Sequence, residues 1–429
     1  MEQEEGSLAM EPYGGLQSSW VAEAPIAEIV EEVGTPVFIY SADALRANIE
    51  RVHDAFVSVG LRERARLYVP FFPNSNPHIL QPLQEHGVGL LAQIPAEYEY
   101  AKTHGFTDFI VSPGHISNEE IAYWTGSRLP LFLGSLSEIR SALEAGTREV
   151  CVRIDSLNSG KPGIKRDELG QLRSLVDACG ATVSSLEVYC GSGNSHAEMV
   201  EAIDALMSIY ANHFPEAASL NFAGGFGFNY EPWEPERKHF GWEAYSKALA
   251  ERAAAHEIPE HVQFWFEPAR DLLADIGILV LGVKREIITN AVHSLIATDG
   301  SRMLMPSAQL RDRHHNVAFL DSHFSELPPG PDSVLASVRG RTILRNDYIL
   351  PRDYPVPPDV CDGCSLIIFD VGAYCATQHM EFLNVPPAAE VLHDKAAGTI
   401  SVVTERGDHF DKWRNVLATP KLLGQKEPA

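Results

Sequence analysis

Ser219-Leu-Asn-Phe-Ala-Gly-Gly-Phe-Gly227 carries a short apolar run into a glycine-rich turn. The run Ser219–Phe222 has the length and character of a parallel strand covered by helices. Gly224, Gly225 and Gly227 let backbone N–H groups approach an anion with no Cβ in the way, although a tight strand-to-helix turn would use the same residues. Seven further runs of this kind stand along the chain: Arg66–Phe71, Val88–Ala92, Asp108–Ser112, Pro130–Leu133, Glu149–Ile154, Ser185–Tyr189 and Val262–Phe266. Each interval has room for one helix, for example Pro95–His104, Leu136–Ala145 and Ala197–Ala211. Eight strand–helix units predict an α/β fold, a (β/α)8 TIM barrel, with an open doubly wound sheet as the alternative.

Outside these units the pattern changes. Thr35-Pro-Val-Phe-Ile-Tyr40 reads as a strand, and Ser41 as the N-cap of a helix on which Leu45, Ile49, Val52 and Phe56 share one face. Residues 1–24 are acidic and weakly periodic, and most of this stretch reads as a flexible or loosely docked arm. Beyond about residue 283, runs such as Val283–Thr289, Ser294–Thr298 and Ser365–Val371 alternate with polar and proline-rich stretches, among them Pro351–Pro358. That pattern predicts a C-terminal antiparallel β-domain.

The chain has 429 residues, enough for two or three domains. Its 58 acidic and 34 basic side chains leave a net charge of −24, which opposes a nucleic-acid or anionic-membrane partner. The most apolar stretch, Ile276–Val283, is too short to span a bilayer, and the acidic N-terminus lacks a secretory apolar region. Six scattered cysteines imply no disulfide framework and suit a reducing cytoplasm.

In a barrel, reactive groups belong at the C-terminal ends of the strands. Those ends are Phe71-Phe72-Pro73-Asn74-Ser75-Asn76-Pro77, Ser159–Gly163, Tyr189-Cys-Gly-Ser-Gly193, Ala223–Gly227 and Glu267-Pro-Ala-Arg270. In order, and with Thr35–Tyr40, Gly372-Ala-Tyr374 and Pro386–Val391, they resemble the fold-type-III pyridoxal-phosphate decarboxylases, nearest the diaminopimelate branch. The resemblance spans roughly residues 35 to 395. It implies a division into a barrel over 42–282 and a β-domain made of 25–41 with 283–429. It also implies a pocket in which Ser192, Gly224, Gly225, Gly227 and Arg270 hold phosphate, Glu267 meets the pyridine nitrogen, Tyr189 faces the ring and Tyr374 reaches the cofactor. Family active sites lie at a homodimer interface, so a homodimer is implied too.

The departures share one direction. Phe72 stands where the family has the lysine that tethers the cofactor, and a phenyl ring forms no Schiff base. Tyr189 replaces a ring-stacking histidine and Leu91 an aspartate. In a Cys-x-Ser-x-Asp loop, Ile343 and Arg345 replace Cys and Ser while Asp347 keeps the Asp. Met305-Pro306 stands in for an Arg-Pro pair. The remaining candidates for chemistry are Asp347 and a relocated lysine, Lys161. Buried Glu267 would need a cationic or proton-sharing partner.

Other features have plainer readings. Cys361-Asp-Gly-Cys364 lacks the second ligand pair of a zinc site and reads as a turn with two free thiols. His314-His315 lies in a charged run and reads as surface loop. Tryptophans such as Trp124, Trp233, Trp242 and Trp265 read as core or interface, and no metal site is expected. The predicted function is a divergent diaminopimelate/ornithine decarboxylase-like protein that binds an amino-acid-like or phosphorylated small molecule at the barrel mouth. Pyridoxal 5′-phosphate would be held non-covalently or be absent. The alternatives are a catalytically dead binding or regulatory partner, and an active amino-acid decarboxylase, a lyase, that uses a relocated lysine.

Overall fold

A computed structural model describes residues 20–114, 116–155, 162–230, 239–284, 294–306, 315–350, 353–410, 413–416 and 418. β1 (Val37–Ser41) precedes the barrel. All eight expected barrel strands form: β2 (Ala65–Pro70), β3 (Gly89–Ala92), β4 (Phe109–Val111), β5 (Phe132–Leu133), β6 (Glu149–Asp155), β8 (Thr182–Val188), β9 (Ser219–Asn221) and β10 (Gln263–Phe266). A two-residue β7 (Ile164–Lys165) lies beside β6. The strands run parallel in the order β4-β3-β2-β10-β9-β8-β6-β5, and a parallel bridge between Val111 and Leu131 brings β4 back to β5. The result is a near-closed barrel, not an open sheet. Inside it Tyr68, Leu91, Ile110, Phe132 and Cys151 form one apolar cluster, with Phe72 and Trp265 packed against it.

The helices cover the outside because their apolar faces are regular. Ser41 caps the helix Ala42–Val57, its hydroxyl accepting from Ala44 N at 3.1 Å. Leu45, Ile49, Val52 and Phe56 are fully buried along it, and each such side chain contributes roughly 1.5–3 kcal/mol by leaving water. Trp124 and Trp242 also lie in the core.

The second sheet contains β1 and the strands after the barrel: β11 (Gly277–Lys284), β12 (Ser294–Thr298), β13 (Val317–Leu320), β14 (Glu326–Leu327), β15 (Val334–Arg339), β16 (Tyr354–Val356), β17 (Ser365–Ile368), β18 (Ala389–Asp394) and β19 (Thr399–Thr404). It is mixed rather than purely antiparallel. β1 arrives from the N-terminal side, antiparallel to β11 and parallel to β18, and β12 runs parallel to β15. The expected barrel end at residue 282 falls inside β11, which pairs in this sheet.

Of two loop expectations, one needs correction. Trp20–Glu23 forms a single 3-10 turn, with Val21 buried and Trp20 Nε1 donating to Asp275 O at 2.9 Å. Of the two readings of the arm, residues 20–23 take the docked one, and residues 1–19 lie outside the described residues. His315 is buried, not on a surface loop: its Nδ1 is 2.8 Å from Phe369 O and its ring lies against Tyr230. His314, Trp233, residues 285–289 and Pro351 lie outside the described residues.

Candidate active site at the barrel mouth

The C-terminal ends of the strands surround a cavity of about 650 Å³. Every residue expected to hold a cofactor lines it: Tyr189, Ser192, Gly224, Gly225, Gly227, Glu267, Arg270 and Tyr374. Phe72 and Leu91 line it as well. The glycine loop follows β9, where Asn221 Oδ1 accepts from Ala223 N at 2.9 Å and holds the backbone in its turn. Gly225 has φ +105, and a Cβ there would lie 2.3 Å from Gly191 O, so only glycine fits. At Gly227 a Cβ would meet nothing within 4 Å, so its lack of a side chain keeps that part of the wall open.

Arg270 begins the short helix Arg270–Leu273 after β10, and its guanidinium lies 4.6 Å from the centre of the Tyr374 ring. Its buried Nε has no hydrogen-bond partner among the described residues. Tyr374 comes from the second sheet's side of the molecule. Its approach depends on Gly372, where a Cβ would fall 1.9 Å from Leu273 O. The same loop clamps the end of β2: Tyr374 N and Thr377 Oγ1 donate to Pro73 O at 2.8 and 3.2 Å, and Asn74 Nδ2 donates to Gly372 O at 3.1 Å. Phe72 is thereby fixed in the cavity, half-buried, with its ring 6.1 Å from that of Tyr374.

The floor is a polar network. Glu187 is 1 % exposed and Glu267 7 %. Arg153 Nε donates to Glu187 Oε1 at 2.5 Å, and Arg153 also donates to Ser112 Oγ. Asn221 Nδ2 lies between the two carboxylates, 2.7 Å from Glu267 Oε1 and 3.4 Å from Glu187 Oε2. Burial, and next the charge of Glu187, push the Glu267 carboxyl well above the usual carboxylate range, while Asn221 and Arg153 pull the other way. The charge of Glu187 raises the Arg153 guanidinium further, against the opposing effect of burial.

One candidate for chemistry, Asp347, and the exchanged position Ile343 stand elsewhere. Ile343 is 93 % exposed and does not line the cavity. Asp347 is fully buried outside the cavity and accepts from Ser301 Oγ, Arg302 N, Thr342 N and Thr342 Oγ1. It organises the Gly340–Asp347 loop rather than facing the cavity. Lys161 lies outside the described residues. The Cys361 and Cys364 thiols form no disulfide, lie 3.7 Å apart and do not line the cavity.

The donor set was tested against the fold family's cofactor. The glycine turn and the unpartnered Arg270 nitrogen suit a phosphate, and Glu267 suits a ring nitrogen. No lysine is among the described residues lining the cavity, so they fit a phosphorylated pyridine held without a covalent tether.

Reading the strand ends missed Ser112, Arg153, Glu187 and Asn221. A signal was present: charged residues interrupt the apolar runs Val150–Ile154 and Leu186–Val188, and a charge inside a strand is costly unless another strand supplies its partner.

No protein-family model matches the chain. It is 25% identical over 402 residues to the diaminopimelate decarboxylase of Streptomyces coelicolor, covering 86% of this chain and 87% of that one. The structure superposes with a TM-score of 0.78 on diaminopimelate decarboxylase from M. jannaschii in co-complex with L-lysine, at 19% identity over 92% of this chain and 95% of that one. It superposes at 0.72 on a lysine/ornithine decarboxylase of Vibrio vulnificus complexed with cadaverine, at 18% identity over 86% and 97% of the two chains. No helix among the described residues is long and apolar enough to cross a membrane. In sequence the chain is similar to diaminopimelate decarboxylases, and its fold is that of the solved fold-type-III pyridoxal-phosphate decarboxylases.

Proposed function

We propose that this chain binds a phosphorylated, nitrogen-bearing aromatic molecule at the barrel mouth without a covalent tether, and that it is not a Schiff-base decarboxylase. The ligand class is pyridoxal 5′-phosphate, free or already joined to an amino-acid-like amine. One observation carries the reading: Phe72, at the end of β2, lines the same cavity as Gly224, Gly225, Gly227 and Arg270. Pyridoxal phosphate, when bound, supplies an electron sink. The chain's own groups bind and orient. Backbone N–H groups of the Gly224–Gly227 turn and Arg270 hold the phosphate, Glu267 meets the ring nitrogen, and Phe72, Tyr189 and Tyr374 give the ring apolar walls. We infer a homodimer in the cytoplasm, in keeping with six free cysteines and with the family resemblance.

Titration of the purified protein with pyridoxal 5′-phosphate, followed by borohydride reduction and intact-mass measurement, tests the reading. Saturable binding that leaves the mass unchanged is expected. A pyridoxyl adduct on Lys161 would replace the reading with that of a working decarboxylase. Absence of binding would leave a catalytically dead partner protein.

A further inference from the structure

Glu267 differs from the other buried charges of the cavity floor in having no cation of its own. Arg153 directs its guanidinium to Glu187 and Ser112, and among the described residues no ion pair reaches Glu267. What reaches it instead is a neutral amide, Asn221, which lies between two carboxylates. Two carboxylates close enough to share one amide group repel one another if both are charged, and burial deepens that repulsion. Glu187 has its charge matched by Arg153, so the proton falls to Glu267. The remaining charged or titratable groups among the described lining residues are Arg270 on Glu267's own loop, Tyr189 after β8, Tyr230 beyond the glycine turn and Tyr374 from the second sheet's side. Arg270 is turned to the Tyr374 ring.

We propose that Glu187 is a positioning residue that keeps Glu267 protonated in the free protein, so that the cavity floor presents an O–H donor to an unprotonated ring nitrogen. The ligand half of this proposal rests on the function proposed above. The protonation half rests only on the geometry of Glu187, Arg153, Asn221 and Glu267. A carboxylate floor would select a cation. A carboxylic-acid floor selects a neutral nitrogen acceptor and disfavours a ring whose nitrogen already carries a positive charge.

Infrared difference spectroscopy of the ligand-free protein at pH 7 tests the first half. Subtracting the spectrum of Glu267→Gln should isolate a protonated-carboxyl band. Glu187→Gln should move the midpoint of that band down by about one to two pH units, and Glu187→Asp, which keeps the charge, should restore it. If Glu187→Gln does not fold, the wild-type minus Glu267→Gln spectrum decides alone. No carboxyl band there, or a midpoint unmoved by Glu187→Gln, overturns the proposal.

Three probes test the second half by calorimetry: pyridoxine 5′-phosphate, its N-methylpyridinium analogue and the analogue with CH in place of the ring nitrogen. The first should bind about tenfold or more tighter than either other probe, since a hydrogen bond to an ionisable group is worth about that much. Equal or tighter binding of the N-methyl analogue overturns the proposal, as does equal binding of the CH analogue. If none of the three binds, the phosphorylated-ring reading of the cavity fails, and the infrared result still decides the proton on Glu267.

Discussion

At one end of the barrel-mouth cavity, Gly225 sits where no side chain fits and Arg270 keeps an unpartnered buried nitrogen. At the other end, Phe72 places a phenyl ring beside Tyr374. The first end is built largely from backbone: positive φ at Ala223 and Gly225 and the close approach of the Gly191 carbonyl. The second end is built from side chains on a scaffold that tolerates exchange, because the end of β2 is fixed by its main chain. Pro73 O and Asn74 hold it to the Gly372–Tyr374 loop whatever residue occupies position 72. Binding geometry written in the backbone outlasts chemistry written in one side chain.

The sharpest way to break this comparison is to restore the amine. Phe72→Lys should gain a borohydride-stable pyridoxyl adduct approaching one per chain, where the wild type shows none. The β2 end is clamped through its main chain, so the fold should accept the change. If the variant folds and stays free of adduct, the reactive end has diverged in more than its side chain.

The next largest effect concerns what supports the glycine-lined end from behind. Asp271, adjacent to Arg270, is fully buried and accepts from Arg51 Nη2 at 2.8 Å, Phe240 N at 2.7 Å and Trp242 Nε1 at 2.6 Å. Burial disfavours its charge, but His239, Arg51 and Trp242 outweigh that and hold the carboxyl below its ordinary value. The stabilisation is therefore whole above the unfolded value of about 3.9 and is lost as pH falls through the folded one. Asp271→Asn should cost about 3–5 kcal/mol in urea unfolding at pH 7, and the difference from wild type should shrink on acidification. Arg270→Met tests the same end directly. It should weaken pyridoxine 5′-phosphate binding about 10- to 100-fold, or about 1.4–2.7 kcal/mol, with little change in unfolding.

The eight strands were legible because each is a compact apolar run, and a barrel needs only their number and order. The cavity-lining residues were legible for the same reason: they sit at strand ends, where position along the chain fixes position in space. The floor was not. Arg153, Glu187 and Asn221 lie on β6, β8 and β9, and only the closed barrel turns these side chains toward one another. The mixed sheet was hidden because β1 meets β11 and β18 across more than two hundred residues of chain. His315 was misread because its neighbours in sequence are charged, while its neighbours in space, Phe369 and Tyr230, are not.

The smallest expected effect separates the cavity from a loop that only looks connected to it. Asp347 is a sequence candidate for chemistry, yet its two oxygens are taken up by Ser301, Arg302 and Thr342, with Thr342 Oγ1 at 2.6 Å. An asparagine would turn one acceptor into a donor facing donors. Asp347→Asn should therefore cost about 1–2 kcal/mol of stability and leave pyridoxine 5′-phosphate affinity unchanged, because nothing from Gly340 to Asp347 lines the cavity of its own chain. Calorimetry at two protein concentrations completes the test. A loss of affinity that grows on dilution would mean that the exposed Ile343 loop reaches the cavity of a second copy. The rebuilt end would then be shared between subunits, while the glycine-walled end remains the property of one chain.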